Sequence, residues 1–160
     1  MSDLECLRQC LRAAPRKEVA GKWYFRDVDK VEETTDSFDR IKLLFKGFPR
    51  LYYFLIEVVS PVCIDRAPLH KFRAAAKGVI LNIGSGSQLR QPNTVNVDMM
   101  DYEHVDIVCD IHHLPFQDNS IDAVMSVAVL EHVREPGKVL AEVYRVLKPG
   151  GSVLSVIPFM

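Results

Sequence analysis

Hydrophobic residues along this chain keep two different rhythms, and the change falls near Gly78. Before it the spacing is helical. In "SDLECLRQCLRAAP" the residues Leu4, Leu7 and Leu11 share one face, Ser2 and Glu5 stand at capping-box spacing, and Pro15 ends the run. "DSFDRIKLLFKGFP" places Phe38, Ile41, Leu44 and Phe45 on one side of a second helix. Pro49 suits the first turn of a third, where Leu51, Phe54, Leu55 and Val58 recur at helical spacing and Tyr52, Tyr53 and Ile56 make the other face apolar too. A helix apolar all round is buried, lies on a membrane surface, or covers a substrate pocket. Between the first two helices, Arg16–Thr35 is polar and irregular apart from "WYF" at Trp23–Phe25, and reads as a loop or a loosely held segment.

From Gly78 onward short apolar runs alternate with turns. Val79–Ile83, Thr94–Val97, Val105–Cys109 and Ile121–Val127 read as strands. Pro136–Leu147 reads as a helix with Val139, Leu140, Val143, Val146 and Leu147 inward; "KPGG" turns the chain, and Ser152–Ile157 is a fifth strand. Runs apolar on both faces, joined by crossovers, predict an α/β protein with a Rossmann-like open parallel sheet of about five strands. The expected organisation is a helical N-terminal extension or lid over residues 1–77 and a ligand-binding core over 78–160.

Composition changes this picture little, but charge adds to it. Residues 1–78 hold 15 Lys and Arg against 11 Asp and Glu, whereas residues 79–160 hold 5 against 10. The acidic second half argues against a nucleic-acid partner. Cys6, Cys10, Cys63 and Cys109 form no CxxC pair and read as reduced thiols of a cytoplasmic protein. The longest apolar stretch, Leu51–Ile64, is broken by Glu57 and Pro61 and falls short of the roughly 20 residues a membrane span needs. His112 and His113 are adjacent and point apart, so no metal site is expected.

In open parallel sheets ligands bind beyond the carboxyl ends of the strands. There the chain carries Asn82, Gly84, Ser85, Gly86 and Ser87 after the first strand, Asp98 and Met99 after the second, Asp110-Ile111-His112 after the third, and Ser126-Val127-Ala128 and Leu130-Glu131-His132 at and beyond the end of the fourth. A dinucleotide site would need a third glycine three residues after Gly86, where Leu89 stands. A phosphate-cradling loop would need a Gly-Lys-Ser/Thr ending, which is absent. What remains is a glycine bend without a phosphate grip and an acid placed for two ribose hydroxyls. A sulfonium nucleoside fits these features.

"LPFQDNSIDAVMSVAVLEHVREPGKVLAEVYRVLKPGG" (Leu114–Gly151) closely resembles the pattern "LPFxDxSxDxVxxxxVLEHVxxPxxxLxExxRVLKPGG" of the class I S-adenosylmethionine-dependent methyltransferases, of the type 11-like group. The resemblance covers about half the chain. It implies that S-adenosyl-L-methionine is the cofactor, with Asn82, Gly84, Ser85 and Gly86 beside its amino-acid and ribose portions. Asp98 and the neighbouring Met99 would meet the ribose side, Asp110 and Ile111 the adenine, and Val127 the methionine end. Glu131 and His132 are the candidates for catalysis. Plainer roles stay open: Asp110 can cap the next turn, and Glu131 and His132 can shape the pocket. Methyl transfer asks mainly for alignment, with a general base needed only when the acceptor must lose a proton.

Three departures from the pattern carry expectations. Asn82 stands where the family often has an acid, and Ser87 where a third glycine is usual. Only nine residues, Ser85–Asn93, separate Gly84 from the second strand, too few for a crossover helix. The pattern also stops after the fifth of seven family strands. A truncated product is therefore expected, its fifth strand an apolar edge open to a homo- or hetero-oligomeric partner. Its activity is then in question, and an inactive binding or regulatory fragment is the alternative to a methyltransferase. The aromatic third helix favours a small-molecule or lipid acceptor.

Overall fold

The computed structural model describes residues 3–27 and 66–157. The second and third N-terminal helices expected from the sequence lie outside the described residues, as does Ser2 of the capping box. A seven-stranded sheet organises the rest, in the order β1-β2-β5-β4-β3-β6-β7. Its strands are β1 (Lys17–Val19), β2 (Lys22–Tyr24), β3 (Ile80–Ile83), β4 (Thr94–Asp98), β5 (Ile107–Val108), β6 (Ile121–Val127) and β7 (Leu147–Val156). Every pairing is parallel except β1 with β2. The α/β fold with a Rossmann-like parallel sheet is thus as expected, and the five expected strands are β3 to β7.

The two further strands correct the reading of Arg16–Thr35 as a loop. Ala20 and Gly21 have φ of 50° and 75°, the two positive values that a tight two-residue hairpin turn requires. They bring Lys22 opposite Val19 and Trp23 opposite Glu18. Trp23 is wholly buried beside Leu4, Leu7, Val97 and Phe116. That burial docks the hairpin on β5, through Trp23 N–H to the Asp106 carbonyl and Phe25 N–H to the Val108 carbonyl, both 2.9 Å. The leading helix is shorter than expected. Helix α1 (Asp3–Cys6) passes into a 3-10 turn (Leu7–Cys10), after which Leu11 is extended. Bonds from Gln117 N–H to the Cys10 carbonyl and from Arg12 N–H to the Pro115 carbonyl, each 2.8 Å, pull the chain out of the helix before Pro15 is reached.

Among the described residues, two helices flank the sheet. On α2 (Arg66–Ala75), Leu69 and Phe72 pack with Ile80, Ala123 and Met125 on one face. On α3 (Pro136–Val146), Val139, Val143 and Val146 are buried on the other, against Leu81, Ile83 and Val124. Pro136 begins α3, where its missing N–H costs nothing. Strand β7 starts earlier than expected: Leu147 pairs with Ile121, Lys148–Gly151 bulge out, and Ser152 resumes opposite Ala123. Val153 on it and Ile157 just past its end are exposed.

Helix α3 also fastens the loop before β6. Arg145 donates to the carbonyls of Leu114 (3.0 Å) and Phe116 (2.8 Å) and to Asp118 (2.7 Å), while Glu142 accepts the Leu114 N–H at 2.8 Å and pairs with Arg145. The Arg145 bonds hold the Glu142 carboxyl below its ordinary value; burial opposes them, and the Leu114 N–H reinforces them. The stabilisation is therefore full above the unfolded-state value and is lost as pH falls through the lower folded-state one. Glu142→Gln is expected to cost about 2 kcal/mol at neutral pH. Urea melts should show that cost shrinking in acid; a pH-independent difference would contradict the pairing.

Candidate functional site

Beyond the carboxyl end of β3 the backbone turns through two left-handed glycines, Gly84 at φ 65° and Gly86 at φ 56°. A Cβ on Gly84 would lie 2.5 Å from Cγ2 and 2.6 Å from Cγ1 of Val129, so the bend packs directly on the turn after β6. Around the Cβ direction of Gly86 no described residue lies within 4 Å. Its requirement is conformational, and the space above it is open. Between them Ser85 is buried, its N–H donating to the Val97 carbonyl at 3.1 Å.

Asp98, only 8% exposed, ends β4 and ties this bend to the next loop. Its Oδ2 accepts the Gly86 N–H at 2.7 Å and its Oδ1 the Met100 N–H at 2.9 Å. Each carboxylate oxygen keeps a second acceptor direction, so the group is fixed yet able to receive two hydroxyls. Met99 beside it is half exposed.

One strand further, Cys109 N–H donates to the Asp98 carbonyl at 3.0 Å. Burial, together with the charges of Asp110 and Asp98, pushes the Cys109 thiol well up and keeps it protonated. Asp110 accepts the His112 N–H at 2.9 Å, and its Oδ1 lies 2.7 Å from His112 Nδ1. Burial pushes its carboxyl up, but the bonds from His112 and the pull of His112 and His113 outweigh that and hold it low. Capping this turn engages Oδ1; Oδ2 lies 3.6 Å from His113 Nδ1 and retains acceptor capacity. Ile111, next to it, is buried.

Asn82 points into the sheet face beneath the bend. Its amide donates to Gln88 (3.1 Å) and Asn96 (3.0 Å), while its Oδ1, like the hydroxyls of Ser85 and Ser126, is buried without a partner among the described residues. The three orphaned groups lie at the ends of β3 and β6 or in the bend between, where a polar ligand would satisfy them. Val127 is half-buried there, and Ala128 follows at φ 54°. Glu131 and His132 are exposed on the turn closed by His132 N–H to the Val129 carbonyl at 2.9 Å. Neither side chain bonds another described residue.

The structure thus brings together Gly84, Ser85, Gly86, Asp98 and the turn carrying Glu131 and His132, with Asp110 and Ile111 one strand away. Three participants went unnoticed in the sequence: Val129, which walls Gly84, Met100, which fixes Asp98 through its backbone, and Asn96, directly opposite Asn82. Only Asn96 leaves a side-chain signal, a polar residue inside an apolar strand. Among the described residues no helix is long and apolar enough to cross a membrane, and no group of His, Cys, Asp and Glu could hold a metal ion.

Comparison with known proteins bears on this site. Residues 81–155 match the family model described as a methyltransferase domain. A ubiquinone/menaquinone biosynthesis C-methyltransferase of Desulfotalea psychrophila is 57% identical over 44 residues, covering 28% of this chain and 18% of that protein. The protein of the same name from Geotalea daltonii is 29% identical over 150 aligned positions, covering 75% and 63%. Among solved structures, an S-adenosylmethionine-dependent methyltransferase of Thermotoga maritima superposes with a TM-score of 0.51 at 21% identity, covering 71% of this chain and 59% of that one. The chain spans less than two thirds of the length of these relatives. The structural likeness shows the shared fold.

Adding a methyl group at the bend tests its packing. Gly84→Ala is expected to cost about 3 kcal/mol, combining the left-handed backbone with the clash on Val129. Gly86→Ala should cost about 1 kcal/mol from backbone conformation alone. Equal urea midpoints for the two variants would show that Val129 gives way.

Proposed function

We propose that this chain, whose residues 81–155 match the family model of a methyltransferase domain, binds S-adenosyl-L-methionine across the ends of β3, β4 and β5 and directs its methyl group to an acceptor near the end of β6. The observation that carries this reading is Asp98, a buried carboxylate fixed by two backbone N–H groups beside an open glycine bend. It offers its remaining acceptor directions to the ribose hydroxyls. The Gly84–Gly86 backbone, Asn82 and Ser85 would line the amino-acid portion, where the orphaned Asn82 and Ser85 oxygens suit polar ligand groups. Asp110 through Oδ2 and Ile111 through its N–H would meet the adenine edge, Met99 the ribose side, and Val127 the methionine end.

The cofactor supplies a methyl group already activated by a sulfonium charge, so the protein's task is alignment. Glu131 and His132 stand on the turn that packs against Gly84, in the place from which a base could take a proton from an acceptor. We favour a small-molecule or lipid acceptor over nucleic acid. The acidic core half supports that preference, as do relatives named for ubiquinone and menaquinone biosynthesis. The unpaired thiols of Cys6, Cys10 and Cys109 suit the reducing cytoplasm.

Calorimetric titration with S-adenosylmethionine tests the proposal. The wild-type chain should bind in the micromolar range, and Asp98→Ala at least about tenfold more weakly, about 1.4 kcal/mol. A folded wild-type chain that does not bind would overturn it.

A further inference from the structure

Lys22 and Tyr24 lie two residues apart on β2 and share the sheet face opposite buried Trp23. Tyr24 pairs with Val108, and Val108 pairs with Asp98, so hairpin and ribose-facing acid occupy one transverse row of the sheet. The turn after β4 folds back over this row. Lys22 Nζ lies 2.8 Å from Asp101 Oδ1 and donates to the Tyr102 carbonyl at 2.7 Å, and the Tyr24 hydroxyl donates to Asp101 Oδ2 at 3.0 Å. Within the turn, Tyr102 N–H returns to the Met100 carbonyl at 3.1 Å, and Met100 N–H holds Asp98.

A continuous set of bonds therefore runs from the hairpin through Tyr102 and Met100 to Asp98, and on to Gly86, with Asp101 bracing Lys22 and Tyr24 beside it. Both charged partners are half-buried or better, with side chains 18% and 32% exposed, so solvent screens the pair less than a surface one. The Tyr24 hydroxyl is pushed up by burial and by the adjoining Asp101 carboxylate, so at neutral pH it remains a donor. The hairpin, residues 17–24, lies outside the segment matched to the methyltransferase family, 81–155.

We propose that this hairpin is a clamp on the cofactor site, with Lys22, Tyr24 and Asp101 as positioning residues that hold the turn fixing the Asp98 carboxylate. The proposal rests on the S-adenosylmethionine reading for its functional meaning, while the clamp itself is a property of the free protein. It makes the N-terminal strands part of cofactor recognition without contact between them and the ligand.

The test uses Lys22→Met, Tyr24→Phe and the conservative Lys22→Arg in the full 160-residue chain. Without ligand, amide hydrogen exchange at Gly86 and Met100 should quicken about fivefold in the first two variants, with Leu81 and Val124 unchanged and Lys22→Arg close to wild type. With ligand, the Kd for S-adenosylhomocysteine should rise about fivefold. For an analogue lacking both ribose hydroxyls the rise should vanish, a difference that general destabilisation would not produce. Unchanged exchange at Gly86 and Met100 overturns the clamp, as does equal quickening throughout the sheet. Quickened exchange at those two amides in the variants, together with a wild-type chain that binds neither ligand, upholds the clamp and removes the cofactor reading instead.

Discussion

Two parallel strands joined by ten residues leave no room for the helix that ordinarily covers such a crossover, and much of this structure answers that constraint. Beyond Ile80, which packs against α2, the same face of β3 and β4 carries polar side chains where an apolar layer would otherwise continue. Asn82 and Asn96 bond one another across the strands, and Gln88 from the crossover loop joins both. Asp106 accepts the Asn96 N–H and pairs with Arg90 at 2.7 Å. Buried amides are costly when unpaired, so the path of the loop is dictated by the need to reach them. The left-handed glycines, the open space over Gly86 and the approach of its N–H to Asp98 all follow from that path.

The central strands were legible because burial on both faces leaves uninterrupted apolar runs, and Ile121–Val127 was located to the residue. The hairpin was not. All three residues of β1 are exposed, so no alternation announces it, and its turn uses Ala20 where the recognised signals have Asn or Asp. The leading helix kept its periodicity only as far as tertiary bonds allowed: Leu11 obeys the pattern and is nevertheless drawn into a bridge with Phe116. At the site, the glycine bend and Asp98 could be read from residue types and strand ends. What holds Asp98 could not, because Gly86 and Met100 donate through backbone groups that no side-chain pattern reveals.

The long motif between Leu114 and Gly151 likewise divides into parts with separate physical reasons. Glu142 and Arg145 recur at fixed spacing because, one helical turn apart, they grip the loop Leu114–Asp118 from α3. Val129 is needed as a wall for Gly84. Much of a pattern that looks catalytic is therefore architecture.

The single tryptophan of the chain happens to sit in the hairpin, sealed from solvent with the Arg8 guanidinium 4.9 Å from its ring. Intrinsic fluorescence is thereby an optical gauge of one event, the seating of β2 on β5. Emission at short wavelength marks the docked hairpin, and a red shift marks its release, whatever the remainder of the sheet is doing.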